Sequence, residues 1–384
     1  MTGRLIINGR FLAAPQGAVN AVASELTRAL IRLSHEDETA PDVRLVVPPT
    51  LVEAARLSGL EAIPVGRGGG LGWDQAFLPR LAGLGTICSF FNTVPFWGTG
   101  YVTLLHDAHV FTTPGTYRRA TAIWRRSLSR RAGRAGNHVL TVSKSALSDL
   151  VGLRLARPEA AGVIPLGPGK AAHAEADPSI LATLGVPEMP PVFLGLASTL
   201  HHKNTSLLLR AFSDPRLADA RLVLFGPASA ADFAWTGAAV PSNVIFAGYV
   251  PDAALAALYD RAVAFLLPSR AEGFGLPVLE AMFRGAPSIV APCGALPEVG
   301  GKAVLTAGPD DPGAWVVAAR RLIDEPGLLE SLRLAGREQV RGYTWAAAAR
   351  ATLDHIGAWG LLDSPSVDKN AQINHPRAQS EGAG

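Results

Sequence analysis

The chain is 384 residues long, 48% hydrophobic and 17% charged, which excludes global disorder and supplies core material for two domains of ordinary size. Its net charge of +3 hides an asymmetry: between Ala108 and Ser148 there are eight Lys or Arg and no Asp or Glu, so the rest of the chain is net acidic. The two cysteines, Cys88 and Cys293, match no metal or redox spacing, which excludes a cysteine-based zinc site and a disulfide-stapled scaffold and predicts two buried thiols.

In chain order, Met1-Thr2-Gly3-Arg4 runs straight into a strand-like Leu5-Ile6-Ile7 with no basic and apolar leader, so a cytoplasmic location is expected. Asn8 to Leu12 and Pro15-Gln16-Gly17 form a loop before a helical stretch over Val19 to Leu33, and Val43 to Val47 reads as a second strand. The glycine run Gly66 to Gly72 lacks the G-x-G-x-x-G order and a clear preceding strand, which leaves a dinucleotide dehydrogenase poorly supported. Leu81 to Leu105 holds no Asp, Glu, Lys, Arg or His over 25 residues, long enough to cross a bilayer. Pro95, Asn92 and four glycines argue instead for two short buried strands, near Thr86 to Phe90 and Tyr101 to Leu105, joined by a loop.

Arg118, Arg119, Arg125, Arg126, Arg130, Arg131 and Arg134 recur at spacings of four and seven, with Ile123, Trp124 and Leu128 on another face. The pattern predicts a basic amphipathic helix within 117–134. It either packs its apolar stripe on the core or meets an anionic membrane surface or an acceptor's phosphates. No nucleic-acid-binding module accompanies it, and no nucleic acid is expected as a partner.

Val139 to Val142 is a further strand, and Val163-Ile164 leads into the Pro and Gly rich segment Pro165 to Gly169, a boundary at about 168. Apolar runs alternating with helical stretches mark a parallel sheet wrapped by helices, and the second half repeats the alternation from Val192 to Val290. The fold class is therefore α/β with two Rossmann-like domains, 1–168 and 169–345. An alanine-rich helix follows over 346–362, and the tail 363–384, without apolar periodicity, is expected to be disordered.

The most informative segment is Pro268-Ser269-Arg270-Ala271-Glu272-Gly273-Phe274-Gly275-Leu276-Pro277-Val278-Leu279-Glu280. It leaves a strand, passes a glycine-flanked turn and opens a helix with Pro277 in its first turn. Amides at a helix start attract phosphate, and Gly273 to Gly275 offer no side chain to block it. Carboxylates repel phosphate, so Glu272 and Glu280 point to hydroxyls on either side of a diphosphate, the chemistry of a sugar nucleotide.

The stretch E-G-F-G-L-P-V-L-E resembles the glutamate-x7-glutamate signature of glycosyltransferase family 4, retaining enzymes of the GT-B fold. The resemblance implies two Rossmann-like domains facing across a cleft, with the last helix returning to the first domain. It places the transferred sugar's hydroxyls on Glu272 and the nucleotide ribose on Glu280, with Gly273, Phe274, Gly275 and Leu276 lining the donor. Lys203, in the strand, loop and K-N context of Leu194 to Asn204, is placed on the diphosphate beside Ser198. Where many members carry an arginine earlier in this loop, the chain reads Ala197-Ser198-Thr199. His201 and His202 read as loop residues.

In the first domain the strand followed by His106-Asp107 is similar to the family's H-D, which puts His106 near the transferred sugar, while Asp107 orients it or caps the next turn. Gly17 matches the glycine of a loop close to the donor phosphate. Ser143 matches a T-V-S strand end or serves as a helix cap, and Glu298 reads as structural. Trp73-Asp74-Gln75 and Asn92 are acceptor candidates. No Asp-x-Asp pair stands where a donor metal would sit, and Asp310-Asp311 reads as solvated loop, so no cofactor or metal is expected.

The resemblance implies transfer of a hexose, GDP-mannose being the leading donor and UDP-glucose next. The acceptor would be a glycan or a polyprenyl-diphosphate-linked glycan of a surface or exopolysaccharide pathway, and the protein would lie in the cytoplasm or peripherally on the inner face of the plasma membrane. A sugar-nucleotide 2-epimerase of similar shape and a non-catalytic GT-B partner subunit remain alternatives.

Overall fold

A computed structural model describes residues 3–14, 17–186, 188, 190–236 and 240–362. The tail 363–384 and two residues of the first loop, Pro15 and Gln16, lie outside the described residues. Among the described residues the strands form two wholly parallel sheets. The first takes β1 (Arg4–Asn8), β2 (Asp42–Val47), β3 (Ile63–Pro64), β4 (Thr86–Ser89), β5 (Val102–Leu104), β6 (His138–Thr141) and β7 (Ala161–Val163) in the order β3-β2-β1-β4-β5-β6-β7. The second takes β8 (Val192–Leu196), β9 (Arg221–Phe225), β10 (Val244–Gly248), β11 (Ala264–Leu267), β12 (Ser288–Val290) and β13 (Val304–Thr306) in the order β10-β9-β8-β11-β12-β13.

Parallel strands need crossover helices on their faces, so the central strands are covered on both sides and read as unbroken apolar runs. Leu5, Ile6 and Ile7 of β1 and Ala264 to Leu267 of β11 are all buried. In each sheet the strand order reverses direction once, between β1 and β4 and between β8 and β11. Crevices at the carboxyl ends of strands at such reversals are where ligands bind in open α/β sheets. The loops after β1, β8 and β11 are those that carry Gly17, Lys203 and Glu272.

The terminal helix Trp345–Ala358 lies against the first long helix, Ala18–Glu36, in the first domain. Around it the Thr86 hydroxyl donates to Leu361 O at 2.7 Å, His355 Nε2 meets Val163 O at 3.1 Å, and Trp345 Nε1 donates to Pro168 O at 2.9 Å.

The charge-free stretch 81–105 contains β4 and β5, and among the described residues no helix is long and apolar enough to cross a membrane. The basic helix spans Arg119–Ala132. Leu128 is buried and Trp124 packs on Phe96 with ring centroids 5.4 Å apart. Ile123 departs from the expected apolar face and is 66% exposed, because five residues from Leu128 is roughly 140° around a helix. Arg131 turns inward, donating from Nε to Phe96 O at 2.8 Å and from the guanidinium to Gly98 O. Of the two cysteines only Cys88 is buried, its thiol pushed up to about 12 by burial; Cys293 is half-buried.

Candidate active site

Lys203 and Glu272 come from neighbouring strands. β8 and β11 pair side by side, and the loops that leave them bring Lys203 Nζ to 2.7 Å from Glu272 Oε1. Asn204 adopts the left-handed conformation (φ 56°) and its amide donates to Pro268 O at 3.2 Å and Pro309 O at 2.8 Å, tying the lysine loop to the signature loop. Burial alone would push the Glu272 carboxyl up; the Lys203 charge and hydrogen bonding outweigh it, so the group stays below the ordinary carboxylate range. The Glu272 carboxylate is therefore ionised at neutral pH. Ser198 is a turn residue here: its hydroxyl accepts from Leu200 N at 3.3 Å and its amide donates to Thr205 Oγ1 at 3.1 Å.

The signature helix spans Leu276–Phe283, with Gly275 ahead of it at φ 103°, a conformation that favours glycine. Leu276 is half-buried, while Phe274 is buried edge-on to Tyr343 with ring centroids 5.8 Å apart, anchoring the loop. Glu280, on the same helix, is half-buried, and its partial burial lifts its carboxyl to about 7 despite a hydrogen bond from Tyr259 Oη at 3.2 Å.

Gly273 has a second neighbour that the sequence does not reveal. A side chain there would overlap the carbonyl of His106, and the Ser143 hydroxyl donates to Gly273 O at 2.7 Å. The glycine thus lets the two domains touch, and the open phosphate seat expected over all of Gly273 to Gly275 is narrowed to the helix-side end. Ser143 also caps its own helix, Lys144–Gly152, accepting from Ala146 N at 3.0 Å. Glu298 reaches across the same seam and accepts from Lys144 N at 3.0 Å and Ser145 N at 3.2 Å, a helix cap supplied by the other domain.

His106 is buried, which holds its imidazole below the ordinary range, and Nε2 donates to Phe90 O at 3.0 Å. Asn92, at φ 59°, accepts from His106 N at 2.9 Å. Asp107 caps the next turn, accepting from His109 N at 2.8 Å. Sequence reasoning missed His109 and set His202 aside, yet both face the cleft. His109 Nδ1 lies 3.4 Å from Asp107, its ring is 5.6 Å from that of His202, and His202 Nδ1 meets Thr116 Oγ1 at 3.5 Å. Burial and the Lys203 charge push the His202 imidazole down to about 4. The position of His202 next to Lys203 was the signal available in the sequence.

On the first domain a cavity of about 460 Å3 is lined by Arg10, Gly17, Asn20, Asn92, Trp124 and Arg125, among others. Gly17 starts the helix Ala18–Glu36 and has room for a side chain. Trp73, Asp74 and Gln75 stand behind this cavity. Trp73 is buried, with Nε1 donating to Val65 O at 2.7 Å, and Gln75 accepts from Phe96 N at 2.7 Å. Asp74, also buried, accepts from Arg10 at 2.8 Å, Thr93 at 3.2 Å and Asn8 at 3.3 Å. Of the three, Asp74 holds Arg10. In the second domain Asp310 pairs with Arg270 at 2.7 Å, and among the described residues no group of three His, Cys, Asp or Glu is placed to hold a metal ion.

Two parallel-sheet α/β domains, with their sheet-reversal loops meeting in one cleft and the last helix folded back on the first domain, define the GT-B fold. Solved structures agree: sucrose-phosphate synthase from Thermosynechococcus elongatus superposes with a TM-score of 0.68 at 18% identity, over 93% of this chain and 99% of that one. Anabaena HepE in complex with UDP-glucose does so with a TM-score of 0.65 at 15% identity, over 93% of this chain and 100% of that one. Residues 191–325 match the family described as Glycosyl transferases group 1. The O-antigen chain mannosyltransferase B of Escherichia coli is 38% identical over 117 residues, 30% of this chain and 30% of that protein's length.

Proposed function

We propose that the chain is a retaining glycosyltransferase of family 4 that moves a hexose from a nucleoside diphosphate sugar to a hydroxyl of a glycan or lipid-linked glycan in polysaccharide assembly. The observation that carries this reading is the Lys203–Glu272 pair at the sheet reversal, 2.7 Å apart and mostly buried. A diphosphate competes with Glu272 for the lysine, and the freed carboxylate accepts hydrogen bonds from the hexose hydroxyls. As the bond from C1 to the phosphate oxygen breaks, charge grows on the departing diphosphate and Lys203 neutralises it. The acceptor oxygen bonds to C1 on the same face and its proton passes to the departing phosphate, so no enzyme nucleophile and no metal is needed. The cleft supplies position and charge stabilisation.

The match to a mannosyltransferase favours GDP-mannose as donor, and the likeness to a protein solved with UDP-glucose keeps that nucleotide second. The cavity of Arg10, Asn20, Asn92, Trp124 and Arg125 suits an acceptor, with rings for sugar faces and amides for hydroxyls. The exposed arginines of 117–134 and the exposed Trp97 and Ile123 support docking on an anionic membrane that carries such an acceptor.

Incubation with each donor, with and without a pool of lipid-linked and free glycans, tests the reading. Glycosyl transfer that requires acceptor is expected. Conversion of UDP-GlcNAc with no acceptor would establish the epimerase instead, and donor binding without transfer to any acceptor would establish the partner-subunit reading.

A further inference from the structure

Glu280 is held by two residues that no sequence signature singles out. Tyr259, buried on the helix Asp252–Arg261, places its hydroxyl between two acceptors of the signature helix, 3.2 Å from Glu280 Oε2 and 3.3 Å from Pro277 O, and its one proton is shared between them. On the other side lies Gly169, in the segment that joins the two domains. A side chain on Gly169 would overlap Glu280 Oε1, although its backbone, at φ −70°, would accept any residue. The glycine is required for space, not for conformation. His173 packs edge-on against Phe283 at the end of the helix Leu276–Phe283, and Tyr343 against Phe274 in the loop before it.

We infer that Tyr259 and Gly169 are positioning residues that form a seat for the Glu280 carboxylate, fixing its reach toward the nucleotide and coupling it to the interdomain linker. This rests on the donor-site reading above. A half-buried carboxylate with a hydrogen-bond donor on one side and a wall of backbone on the other is restricted in orientation, and its remaining lone pairs are left to accept from a ligand's hydroxyls. Ionisation keeps both oxygens as strong acceptors, whereas a protonated carboxyl turns one of them into a donor. Burial opposes ionisation and raises the carboxyl to about 7; Tyr259 favours it, and Asp252, at the start of the same helix, adds a weaker repulsion. Tyr259 is itself pushed well above the ordinary phenol range by burial and remains a neutral donor.

In the wild type, nucleotide affinity is expected to fall as pH drops through the Glu280 value of about 7. Without the Tyr259 hydroxyl the carboxyl rises further, so the loss begins at higher pH. The test is calorimetric titration of the full chain with GDP and with UDP from pH 6 to pH 9, for wild type, Tyr259→Phe and Gly169→Ala, with melting temperatures recorded in parallel. Tyr259→Phe is expected to bind about tenfold more weakly at neutral pH, with the fall displaced to higher pH and recovery at the alkaline end. Gly169→Ala is expected to bind weakly at every pH because the carboxylate is displaced. Equal affinity and an unmoved pH profile for a folded Tyr259→Phe would overturn the inference. Failure of the wild type to bind either nucleotide would instead overturn the donor-site reading.

Discussion

Lys203 and Glu272 stand 69 residues apart in sequence and their charged atoms 2.7 Å apart in space. The strands that precede them are parallel neighbours, and the sheet reverses its order between them. The lysine's value lies in what displaces its partner. In the proposed reading a nucleoside diphosphate, with more negative charge than one carboxylate, competes for the same ammonium.

Replacement of either residue should therefore strike turnover and not folding. Lys203→Ala and Glu272→Gln are expected to lower glycosyl transfer by about 10²–10³-fold, the usual cost of losing one group that stabilises developing charge. Melting temperatures within a few degrees of wild type would show that the fold persists. Unchanged transfer by both variants would end the assignment.

His202 makes a prediction about acid stability. Its imidazole is driven from the usual 6.5 down to about 4 in the folded chain, so between those values the unfolded chain binds a proton that the native chain refuses. Stability therefore rises with pH through this window and is lost on acidification. At about 1.4 kcal/mol for each tenfold change in proton affinity, the effect is on the order of 3 kcal/mol. Urea melts at pH 7 and pH 4.5 should show a smaller acid loss for His202→Gln than for wild type. Equal losses would show that His202 does not titrate abnormally.

Much of this was legible in the sequence, and what was missed has physical causes. Continuous apolar runs announce buried parallel strands, so β1, β8 and β11 stood out. β3 is two residues with an edge proline, and β13 is half-exposed, so neither carries such a run. Glu272 and Lys203 stood out because each lies in a loop between a strand and a helix, and Glu280 because it sits on the helix that the signature loop opens. His109 and His202 were not, since their meeting depends on how one domain faces the other. The same holds for Gly273, whose missing side chain serves the His106 carbonyl, and for Gly169 beneath Glu280.

The proposed docking on an anionic membrane draws on geometry that composition only hinted at. Trp97 is 74% exposed, and its loop is fixed to the basic helix by Arg131 at Phe96 O and Gly98 O. Sedimentation with phosphatidylglycerol vesicles should capture the protein at low salt, with phosphatidylcholine vesicles capturing far less. Arg118→Gln and Arg119→Gln should each cost about 1 kcal/mol of binding, and Trp97→Ala should weaken it further. Equal capture by both lipids, or no effect of these changes, would exclude this face.

Transfer should also survive chelation. The only cation assigned to the leaving diphosphate is the Lys203 ammonium, so EDTA is expected to leave the rate unchanged. A rate abolished by EDTA and restored by Mg2+ or Mn2+ would contradict the site as drawn.

The most direct measurement is thermal shift of the wild-type chain against a panel of GDP-, UDP- and dTDP-sugars, repeated with Lys203→Ala and Glu272→Gln, because a ligand that binds only the native state raises the melting temperature. The account predicts that one nucleotide series stabilises the wild type by several degrees and that both variants lose most of the shift. No stabilisation by any sugar nucleotide, or a shift that both variants retain in full, would contradict it.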